Sequence, residues 1–215
     1  MIPKFKYFIF LICFTLSFTV LSQNLKIGIE GGASYTNLRG NSIAEKSESL
    51  FSHLIGVYGE FPISEQVFLK GGLNYERKGS KIDSRIDDYN GIPLESYTIN
   101  NSYNYLTLPI LIKYQFNGQV KFFINGGPYV GYLLNSKSKT KSTNDYDTSY
   151  LYKKIDFGLV AGVGMLIPFN DNFQFSLEIR DNLGVINISK VDVVGSGTIK
   201  TNSLNFLLGV NLDIL

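Results

Sequence analysis

The sequence predicts an all-β protein, an eight-stranded antiparallel up-and-down transmembrane β-barrel. Three observations lead there: apolar residues recur with a period of two, short and long connections alternate, and aromatic residues gather at both ends of the alternating segments. Successive side chains leave a strand on opposite faces, so period two marks a strand with one apolar and one polar side. Nothing after Gln23 sustains the 3.6-residue period of an amphipathic helix. Composition agrees. Of 215 residues only 18% are charged, while 14% are aromatic and 21 are Gly. Disordered chains are poor in aromatics, and a net charge of +2 is too small for a nucleic-acid binder's electrostatic footprint.

The chain opens with Lys4 and Lys6, an apolar run from Tyr7 to Leu21, and a Val20-Leu21-Ser22 site. This predicts a secretory signal peptide over residues 1–22, cut before Gln23, and a mature barrel domain over 23–215. The run falls short of the ~20 apolar residues of a spanning helix. Cys13 lies inside it, so the expected mature chain has no cysteine for a disulfide or thiolate metal centre.

Eight segments follow. In 25–35, Ile27, Ile29, Gly31, Ala33 and Tyr35 alternate with Lys26, Gly28, Glu30, Gly32 and Ser34. In 52–61, His53, Ile55, Val57 and Phe61 share the apolar face, opposite Tyr58 and Glu60. In 66–79, Tyr75 opposes Lys70, Asn74, Glu76 and Lys78. The segment 103–116 sets Leu106, Leu108, Ile110, Ile112, Tyr114 and Phe116 against Tyr105, Thr107, Leu111, Lys113 and Gln115. In 120–134, Phe122 and Tyr132 oppose Lys121, Phe123 and Tyr129. In 154–168, Phe157, Leu159, Ala161, Val163, Met165 and Ile167 oppose Asp156, Gly158, Val160, Gly162, Gly164 and Leu166. In 173–187, Phe173 and Phe175 oppose Glu178 and Arg180. In 202–214, Leu204, Phe206, Leu208, Val210, Leu212 and Ile214 oppose Ser203, Asn205, Leu207, Gly209, Asn211 and Asp213. Each is about as long as, or longer than, the ~9–11 tilted residues that cross a hydrocarbon layer.

The connections 62–65, 117–119 and 169–172 are short; 36–51, 80–102, 135–153 and 188–201 are long and polar. All the long ones therefore emerge at one end, as in outer-membrane barrels with short periplasmic turns and long external loops. Phe61, Tyr114, Phe116, Phe122, Phe173 and Phe175 lie beside the short turns, and Tyr35, Tyr75, Tyr132, Phe157 and Phe206 toward the long loops. Two such belts are expected at the two membrane–water interfaces. The rival is a soluble sandwich or lipocalin-like barrel, whose greasy face would point inward.

Gly-Val-Tyr-Gly-Glu-Phe-Pro-Ile-Ser (56–64), Leu-Asn-Tyr-Glu-Arg-Lys-Gly (73–79), Tyr-Leu-Thr-Leu-Pro-Ile-Leu-Ile-Lys-Tyr (105–114), Asn-Gly-Gly-Pro-Tyr-Val-Gly-Tyr-Leu-Leu (125–134) and Asp-Phe-Gly-Leu-Val-Ala-Gly-Val-Gly (156–164) resemble the Bacteroidota PorT-like outer-membrane β-barrel family. Thr107 departs from the carboxylate often found there, Gly71-Gly72 from a common Pro-Glu, and Leu215 from the usual terminal aromatic. The resemblance implies an outer-membrane barrel and no common enzymatic activity.

The residues assign no catalytic, cofactor-binding or metal-ligating position. His53 is the only histidine, and its parity with Ile55 and Val57 turns it toward lipid or the interface, away from the interior, as an interfacial amphipathic residue and not a general base. One His without mature Cys does not make a zinc site. Asp83, Asp87, Asp88 and Asn90 lack the ligand spacing of a calcium loop and read as a solvated acidic loop. Lys137, Lys139 and Lys141, followed by Asp145 and Asp147, could touch lipopolysaccharide or simply be solvated. Gly126-Gly127-Pro128 and Gly162-x-Gly164 are strand glycines with no helix after them to cradle a phosphate.

The expected function is a non-enzymatic scaffold of the bacterial outer membrane, exported by its signal peptide and presenting four external loops. Its expected partners are outer-membrane lipid, lipopolysaccharide and other envelope proteins, with no nucleic acid. The alternatives are an accessory component of protein secretion and a lipid-modifying barrel enzyme. The inward set balances Glu30, Glu60, Glu76, Asp156 and Glu178 against Lys70, Lys78, Lys113, Lys121 and Arg180, which predicts a plugged lumen with paired charges. Glu60 with Lys70 and Glu178 with Arg180 are the expected pairs, and inward-facing Asn74 is expected to tolerate Arg if there is room.

Overall fold

The computed structural model describes residues 25–87, 93–140, 145–170, 172–193 and 197–214. The expected signal peptide, Cys13, Asp88, Asn90, Lys141 and Leu215 lie outside these residues. Eight long strands form the wall: β1 (Lys26–Arg39), β2 (Glu48–Pro62), β3 (Val67–Asp87), β4 (Pro93–Gln115), β5 (Lys121–Thr140), β6 (Ile155–Pro168), β7 (Phe173–Gly184) and β8 (Lys200–Asp213). Their order is β4-β3-β2-β1-β8-β7-β6-β5, and β4 pairs with β5 to close the ring. Every pairing is antiparallel. The sheet is a closed up-and-down barrel, so no long strand is left with an open edge.

Burial settles which face is which. Ile29, Ile55 and Leu208 on the outer wall are more than 60% exposed, whereas Glu60, Lys78 and Arg180 inside are at most 1% exposed. A soluble lipocalin-like barrel would reverse this. The apolar outer wall is that of a barrel immersed in hydrocarbon. The aromatics of both belts that are most exposed, Tyr35, Tyr132 and Phe206 at one end and Phe116, Phe122 and Phe175 at the other, all sit on that wall.

The strands run further than the alternation of apolar residues suggests. The connection 80–102 is largely a hairpin: β3 and β4 stay paired from Val67↔Tyr114 to Asp87↔Pro93. Its sequence scatters Ile82, Ile86 and Ile99 among polar residues without a sustained apolar face, as beyond the hydrocarbon none is required and backbone pairing continues the ladder. In the first long connection Asn41 Oδ1 accepts the amides of Ile43 (3.0 Å) and Ala44 (2.8 Å) and caps a short helix, α1 (Ser42–Lys46). In the third, β5 continues to Thr140 and pairs with the two-residue strand Tyr146–Asp147. β7 ends at Gly184, short of the expected 187.

Asn74 does not offer the room expected of it. It is buried, and its amide oxygen lies where a side chain at Gly56 would begin. Asn74→Arg is therefore expected to be as disruptive as a charge on the wall. Val163 is the wall counterpart, exposed between Ile124 of β5 and Ile179 of β7. Val163→Arg is expected to cost about 2–4 kcal/mol if it lies near the bilayer midplane. Urea titration of protein folded into vesicles measures the loss; an unchanged midpoint would contradict the assignment of the wall.

Candidate functional site

The interior is the site that the strands build in common. Toward the short turns, Arg180 from β7 stands between two carboxylates. Its Nη1 and Nη2 donate to Glu30 of β1 at 2.6 and 2.8 Å, and its Nε and Nη2 to Glu178 at 2.7 and 2.8 Å. Lys70 of β3 donates to the same two carboxylates, at 2.8 Å to Glu30 and 3.3 Å to Glu178. Asn125 of β5 adds a bond to Glu178 at 2.8 Å. Beside this group Lys113 of β4 donates to both oxygens of Glu60 at 2.8 and 2.9 Å. Three cations thus meet three carboxylates, all buried. Aromatic faces complete the packing: Lys70 Nζ is 3.9 Å from the ring centre of Tyr58, and Lys113 Nζ 4.4 Å from that of Phe123.

Glu178 with Arg180 is one of the expected pairs. The other expected pair, Glu60 with Lys70, does not form, although the two face each other in the β2–β3 register. Lys113 takes Glu60 from across β3, while Lys70 leans over the lumen to Glu30 and Glu178. In an eight-stranded ring the gap across the lumen is comparable to a lysine side chain, so register does not decide partners. Of the ten inward charges, Lys121 sits half-exposed at the mouth on the short-turn side.

A second cluster lies nearer the long loops. Lys78 Nζ donates to the Tyr129 hydroxyl (2.9 Å), Asp156 Oδ2 (3.2 Å) and Thr201 Oγ1 (3.2 Å), and lies 3.8 Å from Glu76 Oε2. Tyr129 and Thr201 donate to Asp156 at 2.9 and 2.8 Å. Asn182 Nδ2 (3.0 Å) and the Ser203 hydroxyl donate to Glu76 Oε1. Asn125, Asn182 and Thr201 were not singled out from the sequence; their inward parity with Phe123, Arg180 and Ser203 was the available signal. Above this cluster Leu38, Ala44, Tyr103, Tyr105 and Leu133 pack with Tyr152 and Ile199 into an apolar cap. Tyr103 and Tyr152 share a hydroxyl–hydroxyl bond of 3.0 Å beneath the loops.

His53 is exposed on the outer wall, stacked on Tyr75 with ring centres 5.9 Å apart. Asp83 accepts from Lys81 at 3.1 Å and from Thr98 at 2.6 Å. Lys137 and Lys139 approach Asp145 at 3.9 and 3.8 Å. The Ser149 hydroxyl, and after it the Ser149 amide that Asp147 Oδ1 accepts at 2.8 Å, hold the Asp147 carboxyl below its ordinary pKa. Gly126 and Gly162 lie in strands, as expected.

Residues 21–190 match the family described as "Outer membrane protein beta-barrel domain". Comparison with curated proteins finds no match. Among solved structures, Neisserial surface protein A is similar with a TM-score of 0.52 and 12% identity, over 87% of this chain and 97% of that one. A major outer membrane protein from Thermus thermophilus is similar with a TM-score of 0.51 and 13% identity, over 88% of this chain and 99% of that one. At such identities the likeness concerns the fold alone. The family match covers most of the chain, from its first strand past the end of β7, and it agrees with the closed ring, greasy wall and sealed polar interior. The chain belongs to the outer membrane protein beta-barrel domain family.

Proposed function

We propose that this protein is a non-enzymatic scaffold of the bacterial outer membrane, exported by a signal peptide over residues 1–22, and of the PorT-like kind. It holds four external connections in fixed positions for contact with lipopolysaccharide and other envelope components. One observation carries the reading: the lumen is occupied by two ion-pair clusters and closed by an apolar cap, so the outward-facing ends are what remains to meet a partner. Side chains fill an eight-stranded interior, and here they do so with opposite charges already bonded to one another.

The reading is tested in planar bilayers. Purified protein is expected to give no stable, reproducible ion conductance, because an ion entering would have to displace Lys70, Lys113 or Arg180 from their carboxylates. Steady channel steps would overturn the plugged-scaffold reading. A deletion strain assayed for secreted proteins and lipid A composition tests the word non-enzymatic and separates a scaffold from a secretion component.

A further inference from the structure

The outward faces of β3, β4 and β5 continue past the aromatic belt as an ordered grid. Tyr75, Leu106 and Tyr132 form one row across the three strands. The next outward rows are Arg77–Asn104–Asn135, then Gly79–Ser102–Lys137, then Lys81–Asn100–Lys139. Adjacent rows on one face are about 7 Å apart, so this polar grid begins immediately beyond the ring that marks the hydrocarbon boundary.

A shift in the β4–β5 register creates the arrangement. Asn104 pairs with Asn135 but Tyr105 with Leu133, leaving Leu134 as the extra residue of a bulge. One extra residue reverses the parity of the strand beyond it. Leu133 and Ser136 are buried, and Lys137 and Lys139 are exposed on the outer side. Gly79 puts no side chain in the middle row, where a Cβ would strike the Asn101 carbonyl and Leu50. The result is a pocket of about 290 Å³ whose lining includes Arg77, Asn100, Asn104, Lys137, Lys139 and Asp145.

Its charge is unbalanced. Among the described lining residues three cations accompany one carboxylate, and Asp145 lies 3.9 and 3.8 Å from the two lysines, beyond hydrogen-bond length. Lys81, by contrast, is already held by Glu48 at 2.8 Å and Asp83 at 3.1 Å. Among the described residues, no ion pair engages the Arg77 guanidinium. A guanidinium fork and two ammonium groups are suited to phosphate oxygens, and the Asn100 amide to a sugar hydroxyl; Ser102 and Asn104 are engaged within the wall, by the Lys137 carbonyl at 3.4 Å and by Asn135 at 2.7 Å.

We propose that this lateral pocket binds the phosphorylated sugar headgroup of an outer-leaflet glycolipid, whose acyl chains lie on the wall formed by Leu106, Tyr132 and Leu134. The position favours a lipid over a free anion: Arg77, Asn104, Lys137 and Lys139 stand on the outward side of the wall, in the rows that follow the Tyr75–Leu106–Tyr132 row. Asp145 acts as a weak internal competitor for the two lysines. The inference deepens the scaffold reading and rests on the long connections facing the cell exterior.

The test uses the full mature barrel in nanodiscs of zwitterionic phospholipid doped with lipid A, followed by detergent release and native mass spectrometry. Bisphosphorylated lipid A is expected to stay bound, and the dephosphorylated form to be lost. Arg77→Gln with Lys137→Gln and Lys139→Gln should reduce retention by roughly tenfold or more, given three lost charge-assisted contacts. Asp145→Asn should increase retention, and Lys81→Gln should leave it unchanged. Equal retention of the two lipid forms, undiminished retention by the triple variant, or equally tight binding of inorganic phosphate alone would each overturn the proposal. Heat-modifiable gel mobility confirms folding of each variant; should the triple variant misfold, Arg77→Gln and Asp145→Asn must still shift retention in opposite directions. Protease shaving of whole cells reads loop orientation separately, so the two readings fail independently.

Discussion

Replacing Arg180 with Met is expected to destabilise the barrel by about 3–5 kcal/mol, the usual cost of breaking a buried ion pair from one side. Arg180 is 1% exposed and makes four hydrogen bonds to two carboxylates. Met fills much of the same volume but leaves Glu30 and Glu178 to share Lys70 alone. Removing Glu178 is milder. In Glu178→Gln, Arg180 keeps both bonds to Glu30, and the new amide oxygen still accepts from Arg180 Nε or from Asn125. A loss of about 1–3 kcal/mol, that of a charged hydrogen bond, is expected there. The double variant Arg180→Met, Glu178→Gln leaves Lys70 with Glu30 as a balanced pair and should recover part of the larger loss. Urea midpoints in vesicles read all three. If Arg180→Met costs less than about 1 kcal/mol, the range of an exposed pair, the cluster is not the buried network described.

The inside and outside of the ring were legible because the membrane imposes them. Between the aromatic belts each residue faces either hydrocarbon or a narrow lumen, so Ile29 and Glu30, or Val163 and Asp156, declare their sides by chemistry alone. The legibility ends where the hydrocarbon ends. From Ser80 to Asp87 no apolar face is required, and β3 continues with only Ile82 and Ile86 among polar residues, too sparse a pattern to mark a membrane strand. The bulge at Leu134 is silent in the same way: a one-residue shift in pairing has no compositional mark, yet it alone moves Lys137 from the lumen side to the outer side. Partners inside the lumen escaped for another reason. Strand register gives neighbours along the wall, while Glu60 and Lys113 meet across it, on strands separated by β3. That there were buried partners at all was readable from the balance of inward charges. Which ones they were depends on side-chain reach.

The cluster around Lys78 yields an asymmetric prediction. Glu76, Lys78 and Asp156 are all fully buried, and among the described residues the two carboxylates there share this one ammonium. Lys78→Met is expected to cost about 3–5 kcal/mol, as two buried charges then lack any counter-charge. The neutral donors that remain, Tyr129 and Thr201 to Asp156 and Asn182 and Ser203 to Glu76, satisfy oxygens without offsetting the charge. Asp156→Asn does the reverse. It leaves Lys78 with Glu76 as a neutral pair, at the loss of one charge-assisted bond, and should cost less than Lys78→Met. Adding Asp156→Asn to Lys78→Met removes one of the two uncompensated charges and should raise stability above that of Lys78→Met alone. The sign of that second step is the decisive measurement. In an apolar lumen where these groups acted independently, two substitutions would destabilise more than one; here the second restores part of what the first removes. Urea midpoints of the single and double variants, refolded into the same vesicles and read by gel mobility, give the coupling directly. A double variant less stable than Lys78→Met would show that Asp156 is held by Tyr129 and Thr201 rather than by the lysine.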